Sequence, residues 1–169
     1  MLLPPDLALT LAEYTALGLA CSEPTAEPES VDYGAHTFSV HGQRAVSRSA
    51  RTTPKKIGQF VTLWQRSEAG TGPIRPFDAS DGIDFFVVST RGGGEPTELG
   101  QFVFPLAALT ARGVVSRDFD GGKRAMRVYP PWSHPTSRTA MATQGWQLEH
   151  YFPIPDPLQG VSGVLSSAF

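Results

Sequence analysis

Short runs in which hydrophobic and polar residues alternate recur along the chain, and this period of two is typical of β-strands. The runs predict a hairpin with its turn at His41-Gly42, followed by four further strands. The predicted strands cover residues 37–40, 43–50, 59–64, 83–89, 100–104 and 124–129. The run at 83–89 is almost continuously apolar, which indicates a central strand covered on both faces.

Three segments carry the spacing or the end signals of helices. Leucines at helical intervals predict an N-terminal helix within residues 1–21, with Asp6 as its N-cap. A short helix is expected over residues 105–112, where a proline stands in the first turn and a glycine follows the last. The last helix is expected to begin at a cap formed by Thr136 or Ser137.

Chain length and the order of these elements predict the overall organisation. With 169 residues the chain has the size of one domain, which we expect to cover residues 1–152. Residues 22–32 read as a linker loop, residues 68–76 as a Gly/Pro loop, and residues 153–169 as a Pro/Gly/Ser-rich C-terminal tail. The element order predicts an α/β fold, bordering on α+β, with a central mixed sheet of five to six strands flanked by helices.

Composition excludes several classes of protein. A single cysteine, Cys21, leaves no internal disulfide and no cysteine-based zinc site, and the four histidines lack the spacing of metal ligands. We therefore predict no metal site. No apolar run is long enough for a transmembrane helix, and the N-terminus lacks the basic region of a signal peptide. A cytoplasmic protein with no membrane partner is expected.

Charge is segregated along the chain although the net charge is only −2. Residues 1–35 contain carboxylates but no lysine or arginine, whereas residues 36–66 contain lysines and arginines but no carboxylate. Residues 112–138 are again mainly basic. Such segregation is typical of a surface that binds an anion. The alternative is that the basic segments neutralise the acidic ones within the fold.

Nucleic acid is the anionic partner that the basic segments suit best. Lys55 and Lys56 stand in a predicted turn, where they can reach a phosphate backbone at little desolvation cost. Arg127 and Tyr129 share one face of a predicted strand, so they could hold a phosphate and stack on a base. The predicted nucleic-acid-binding residues are Arg44, Arg48, Arg51, Lys55, Lys56, Lys123, Arg124, Arg127, Tyr129 and Trp132.

For Trp132, Gln144 and Gln147, the sequence leaves two interpretations open. Trp132 ends the segment Pro130-Pro131-Trp132, which could stack on a base or pack as a rigid turn against the sheet. Gln144 and Gln147 lie on the last predicted helix, where their amides could contact bases or face solvent.

Several segments together resemble the MepB family, bacterial proteins named after a member encoded beside a multidrug efflux pump. The matching segments are residues 33–38, 53–56, 58–64, 76–78, 83–84, 100–105, 121–132, 143–144 and 146–147. They include Thr53-Pro54-Lys55-Lys56 and the block from Gly121 to Trp132. The resemblance implies a restriction-endonuclease-like fold and a link to multidrug-resistance operons, but it implies no established activity.

A nuclease of that fold holds Mg²⁺ or Mn²⁺ between carboxylates and places a lysine near the attacking water, with Glu-x-Lys as its signature. The chain contains no Glu-x-Lys. Asp81, Asp84 and Gln101 are the only candidates for such a site, and no lysine follows Gln101 at the required spacing. A hydrolase elbow and a phosphate-binding loop are also absent from the sequence.

We therefore expect a nucleic-acid-binding protein without a working nuclease site and without a cofactor. A metal-dependent nuclease, or another enzyme that acts on nucleotides, is the first alternative. A regulatory protein-interaction module of an efflux operon is the second alternative.

Overall fold

A six-stranded sheet forms the centre of the molecule. A computed structural model describes residues 3–68, 70–94 and 98–154. In chain order its elements are α1 (Pro5–Ala16), β1 (Thr25–Ala26), β2 (His36–Val40), β3 (Gln43–Ser49), β4 (Arg51–Thr52), β5 (Gln59–Thr62), β6 (Trp64–Glu68), β7 (Thr71–Pro76), β8 (Phe85–Arg91), β9 (Leu99–Pro105), α2 (Leu106–Ala111), β10 (Ala125–Val128), α3 (Arg138–Gln147) and β11 (Tyr151–Pro153).

The central sheet has the order β1-β2-β3-β8-β9-β11. β3 and β8 are parallel, whereas the other neighbouring strands are antiparallel. The predicted α/β fold with a mixed central sheet and flanking helices is therefore confirmed. β8 occupies the middle of the sheet and is buried from Phe85 to Thr90, as expected for a strand with both faces covered.

Two hydrophobic layers pack against opposite faces of this sheet. On one face, Leu7 and Tyr14 of α1 pack with Val87. On the other face, Phe86 packs with a cluster that contains Val128 from β10. Because adjacent strand residues point to opposite faces, β8 contributes to both layers.

The predicted strands at 59–64 and 124–129 do not join the central sheet, which corrects the expected sheet composition. They form β5 and β10 of a separate three-stranded antiparallel sheet with the order β10-β5-β4. The burial of β5 and β10 alternates along each strand, because only one face of this small sheet packs on the core. Its other face is half-exposed, and Phe60 on that face packs edge to face with Tyr33.

The predicted loop over residues 68–76 is wrong for most of its length. β6 and β7 form an antiparallel hairpin there. Gly70, with a φ of 75°, lies between the two strands. The expected linker at 22–32 likewise contains the short strand β1 and a 3-10 turn at Val31–Tyr33.

The helix ends agree in part with the sequence. α1 begins at Pro5 with Pro4 as N-cap residue, so Asp6 is not the cap; its carboxylate pairs instead with Arg91 at 2.6 Å. Ser137 caps α3 as expected, and its hydroxyl accepts a hydrogen bond from the backbone N–H of Ala140 at 3.1 Å. No helix in the described ranges is long and apolar enough to cross a membrane.

The first two residues of the predicted tail, Pro153 and Ile154, belong to the fold. β11 pairs with the edge of β9, and Ile154 is buried beside it. The rest of the predicted tail, residues 155–169, lies outside the described residues.

Candidate functional site

The half-exposed face of the small sheet borders a groove that runs between the turn at residues 53–58 and α3. Two adjoining cavities, of about 350 and 340 Å³, share Arg127 and Tyr129. We call this site the basic groove. The cations that line it are Lys55, Lys56, Arg112, Lys123 and Arg127, and neither cavity is lined by an aspartate or a glutamate of the described chain.

β10 supplies the centre of the groove because its side chains alternate between two environments. Met126 and Val128 are buried toward the core. Arg127 lies on the opposite, half-exposed face, and Tyr129 continues this face beyond the end of the strand. The predicted pairing of these two residues on one face therefore agrees with the structure.

Arg127 stabilises the turn at residues 53–58, which carries Lys55 and Lys56 and which we call the lysine turn. Its guanidinium donates hydrogen bonds to the hydroxyl of Thr53 at 2.5 Å and to the carbonyls of Ile57 and Gly58 at 3.3 and 3.4 Å. The same group lies 5.9 Å from the ring centroid of Phe60. These contacts satisfy the guanidinium with neutral partners, so the charge of Arg127 is not cancelled by a carboxylate.

The turn itself exposes two lysines. Lys55 has a φ of 67°, a conformation that is costly for a residue with a Cβ atom, and Gly58 has a φ of 82°. The side chains of Lys55 and Lys56 are exposed, and no carboxylate of the described residues forms an ion pair with them. The turn therefore presents two hydrated ammonium groups at one end of the groove.

Tyr129 lies at the junction of the two cavities, and its ring packs against the backbone of Gly58. A Cβ atom at position 58 would lie only 2.7 Å from two carbons of the Tyr129 ring. Gly58 is therefore required for this ring position as well as for the positive φ of the turn.

Two glutamines of α3 hold the end of β10 in place. The buried Gln147 amide donates to the carbonyl of Arg127 at 2.8 Å and accepts from the backbone N–H of Tyr129 at 2.9 Å. Gln144 donates to the carbonyls of Pro130 and Ser133 at 3.1 and 2.8 Å. Both amides form hydrogen bonds inside the fold, with Gln147 fully buried and Gln144 half-buried, and the structure thus assigns both glutamines to holding β10 and the segment after it.

Trp132 follows the packing interpretation. Its ring meets that of Tyr151 edge to face, with the centroids 6.4 Å apart, and it does not line either cavity of the groove. The Pro-Pro-Trp segment is thus a corner that packs against the C-terminal strand of the central sheet.

Arg112 and Trp146 belong to the groove although the sequence did not single them out as binding residues. The Arg112 guanidinium lies 5.1 Å from the centroid of the Trp146 ring, and both line the cavity that also contains Lys123. Trp146 in turn packs at a tilt on Phe104, 5.6 Å away. Arg112 follows α2 and Trp146 lies on α3, so only the folded chain brings them together.

The other predicted cations lie outside the cavities of the groove. Arg48 is fully buried in β3, and its guanidinium donates to both carboxylate oxygens of Glu27 at 3.0 and 2.8 Å. It cannot contact a ligand at the surface, so its prediction as a binding residue is corrected. Arg51 is exposed and lies 5.9 Å from the ring centroid of Tyr33, and Arg124 is exposed beside Lys123.

Arg44 lines a different cavity, which we call the acidic cleft. This cavity of about 400 Å³ is lined by Arg44 and Arg66 together with carboxylates. The carboxylates are Glu27, Glu29, Glu68 and Asp81. Arg66 is paired there with Glu29 at 2.9 Å.

The three residues considered for a nuclease site do not meet. Asp81 accepts hydrogen bonds from Arg75 at 2.8 and 3.1 Å and from Gln65, and Asp84 accepts one from the backbone N–H of Arg44 at 2.9 Å. Gln101 is fully buried and accepts a hydrogen bond from the Tyr14 hydroxyl at 2.6 Å. Within the described ranges, no three histidine, cysteine, aspartate or glutamate residues form a cluster that could hold a metal.

Asp78, three residues before Asp81, has a structural role. Its carboxylate accepts hydrogen bonds from the hydroxyl and backbone N–H of Ser80 at 2.6 and 3.0 Å, from the Ser116 hydroxyl at 2.7 Å and from the Phe119 N–H at 2.8 Å. These donors, the Ser80 hydroxyl first, hold the pKa of Asp78 well below its usual range. The ionised carboxylate thereby ties two loops together.

Comparison with known proteins shows the family to which the chain belongs. The family model described as MepB-like matches residues 27–153, which is most of the chain. The chain belongs to the MepB-like family. All cations of the basic groove lie within the range that matches this family.

The crystal structure of MepB is similar to this MepB-like chain over most of its length. The sequence identity is 29%, the TM-score is 0.74, and the match covers 88% of this chain and 97% of MepB. A bacterial homing endonuclease matches with 17% identity, a TM-score of 0.47 and coverage of 85% and 87% of the two chains, a likeness too low to carry an argument. No curated protein matches the chain.

Proposed function

We propose that the chain is a nucleic-acid-binding protein and that the basic groove is its binding surface. The observation that carries the proposal is the charge of the groove: five cations line two adjoining cavities in which no described residue is a carboxylate. Phosphates are the polyanionic groups that such a concentration of lysine and arginine attracts most strongly.

The environment of the cations favours binding at the surface. Lys55 and Lys56 are exposed, so a phosphate can approach them without displacing a protein partner. Arg112 and Arg127 rest on the rings of Trp146 and Phe60, which support their side chains while leaving their charge uncompensated. This arrangement combines two exposed ammonium groups with two guanidinium groups that are already oriented.

The proposed activity is binding rather than cleavage. Metal-assisted hydrolysis of a phosphodiester needs carboxylate ligands beside the bound phosphate. The described lining of the basic groove offers none, and Asp81, Asp84 and Gln101 are each engaged elsewhere. We also propose a cytoplasmic location, which agrees with a nucleic-acid-binding role.

The salt dependence of binding tests the proposal. Fluorescence anisotropy with labelled DNA and RNA, titrated at several salt concentrations, gives the slope of log K against log[salt]. Each lost phosphate contact reduces this slope by about 0.7 to 0.9, so Lys55→Ala combined with Lys56→Ala should flatten it by about 1.4 to 1.8 units. Affinity at low salt should fall about tenfold or more.

A matched control removes the same charge from outside the groove. Arg44→Ala combined with Arg117→Ala also eliminates two exposed cations, neither of which lines the groove, and we expect the slope to stay within experimental error of the unmodified protein. Equal slopes for the two double variants would mean that the groove has no special part in binding. No binding of any nucleic acid at low salt would refute the proposed function.

A further inference from the structure

We infer that the acidic cleft is a second binding site, which accepts a small zwitterion with an apolar side group. Arg44 binds the carboxylate of this ligand, and Glu68 binds its ammonium group. The side group lies against an apolar wall of the cleft. The inference goes beyond the proposed function, because neither Arg44 nor Glu68 lines the basic groove.

The charges that line the cleft are the first reason. Three of its four carboxylates are paired with arginines at 2.8 or 2.9 Å, and the pairs are Glu27 with Arg48, Glu29 with Arg66, and Asp81 with Arg75. The two lining charges that remain are those of Arg44 and Glu68, and neither forms an ion pair with a described residue. A ligand of one sign would be attracted by one of them and repelled by the other, whereas a zwitterion is complementary to both.

The side chains of Arg44 and Glu68 are available to a ligand, and both residues are exposed. The carboxylate of Asp84 accepts a hydrogen bond from the backbone N–H of Arg44 at 2.9 Å, whereas the Arg44 guanidinium forms none with a described residue. Among the described residues, the carboxylate of Glu68 accepts only a long hydrogen bond from the Thr71 hydroxyl, at 3.5 Å. A ligand therefore gains both interactions without breaking a strong contact of the protein.

The apolar wall of the cleft is the second reason. Val46, Phe77 and Ile83 form this wall, since each lines the cavity although at most 4% of its surface is exposed. The Phe77 ring is held edge to face by Phe86, with the centroids 5.4 Å apart. The cavity volume of about 400 Å³ lies within the range of about 300 to 1,000 Å³ that small-molecule sites occupy. A ligand can therefore bury an apolar group here while its charged groups meet the two free charges.

The fixed shape of the cleft is the third reason. Arg66 of β6 is paired with Glu29, in the segment between β1 and β2. Arg75 of β7 donates two hydrogen bonds, of 2.8 and 3.1 Å, to Asp81 in the turn that follows β7. Both strands of the hairpin beside the cleft are thus tied to other segments. A cleft that is already shaped loses little conformational entropy when a ligand binds.

Binding of four probes to the isotope-labelled chain, followed by NMR at about pH 6, tests the inference. L-phenylalanine carries both charges and an apolar side group. N-acetyl-L-phenylalanine lacks the ammonium group, L-phenylalaninamide lacks the carboxylate, and glycine lacks the side group. We expect L-phenylalanine to bind about fivefold more tightly than each of the other three, or better, and to shift the amide signals of residues that line the cleft.

Two variants assign the charges to their partners. Arg44→Gln should weaken binding of L-phenylalanine about fivefold but leave binding of L-phenylalaninamide unchanged, because that probe has no carboxylate. Glu68→Gln should weaken binding of L-phenylalanine to the same extent but leave binding of N-acetyl-L-phenylalanine unchanged. The matched controls are Arg117→Gln and Glu23→Gln, which change exposed residues outside the cleft and should have no effect. The amide spectra show whether each variant is folded.

Three outcomes would overturn the inference. The first is the absence of L-phenylalanine binding up to about 10 mM, which is weaker than a specific small-molecule site requires. The second is equal affinity for L-phenylalanine and the two probes that lack one charge. The third is unchanged binding of L-phenylalanine in both cleft variants. Lys55→Ala combined with Lys56→Ala should bind L-phenylalanine as the unmodified protein does, so this test is independent of nucleic-acid binding.

Discussion

The acidic cleft and the basic groove both contain arginines, but the partners of those arginines differ. In the acidic cleft, Glu27 pairs with the buried Arg48 at 2.8 Å, and Glu29 pairs with Arg66 at 2.9 Å. In the groove, Arg127 is held instead by carbonyls, a hydroxyl and an aromatic ring. The difference shows that a carboxylate partner neutralises the charge of an arginine within the fold, whereas neutral partners hold the arginine in place and leave its charge uncompensated.

The charge segregation of the sequence therefore has two explanations, each valid in one region. Glu27 and Glu29, from the acidic N-terminal segment, neutralise arginines of the following basic segment. The lysines at 55, 56 and 123 have no such partner among the described residues. Neutralisation within the fold accounts for the cleft, whereas the cations of the groove keep their charge for the anion that we propose it binds.

The largest effect is expected from breaking the buried ion pair of the cleft. Glu27→Gln would leave the fully buried guanidinium of Arg48 without its countercharge, because the Arg48 side chain has no exposed surface. We expect the free energy of unfolding to fall by about 3 kcal/mol. Urea denaturation measures this loss, and anisotropy should show unchanged affinity for nucleic acid under conditions where the variant is folded. A large loss of affinity would contradict the separation of the two regions.

An intermediate, pH-dependent effect is expected from Asp78, beside the cleft. Because its pKa is lowered in the folded state, its ionised form stabilises the fold above the ordinary carboxyl pKa of about 4. This contribution is lost as the pH falls below that value. Asp78→Asn should therefore be less stable than the unmodified protein at pH 7, and the difference should shrink between about pH 4 and pH 2. A difference that is the same at all pH values would contradict this role.

The smallest effect is expected at the exposed pair of the cleft. Glu29→Gln removes the partner of Arg66, whose side chain is 35% exposed, so water can replace the lost interaction. We expect a loss of less than about 1 kcal/mol in urea denaturation. This variant is also the matched control for Glu27→Gln, because the chemical change is the same and only the burial of the arginine differs.

Alternation along a strand predicted the centre of the groove. Arg127 and Tyr129 are two residues apart, and one face of β10 is buried, so a period of two was enough to place them together. The exposed lysine turn could also be predicted from the sequence, because Thr53-Pro54 and Gly58 are typical of a turn.

Other features could not be predicted from the sequence, because they depend on contacts between distant segments. A hydrophobic layer packs on each face of the central sheet at β3, with Val46 in one layer and Ala45 in the other, so Arg48 is buried where alternation alone could not show it. Gln101 is engaged by Tyr14 from a helix 87 residues earlier in the chain. Arg112 reaches the groove only because α2 and α3 pack beside the small sheet, and no local pattern reports such packing.

Photo-cross-linking of a bound oligonucleotide, followed by mass spectrometry of the peptides, tests the central claim most directly. We predict cross-links in the peptides that contain Lys55-Lys56 and residues 123–129, which line the basic groove. These cross-links should disappear at high salt, as expected for contacts that depend on phosphate binding. Cross-links confined to the acidic cleft, around Arg44 and Arg66, would contradict the assignment of the basic groove as the nucleic-acid-binding surface.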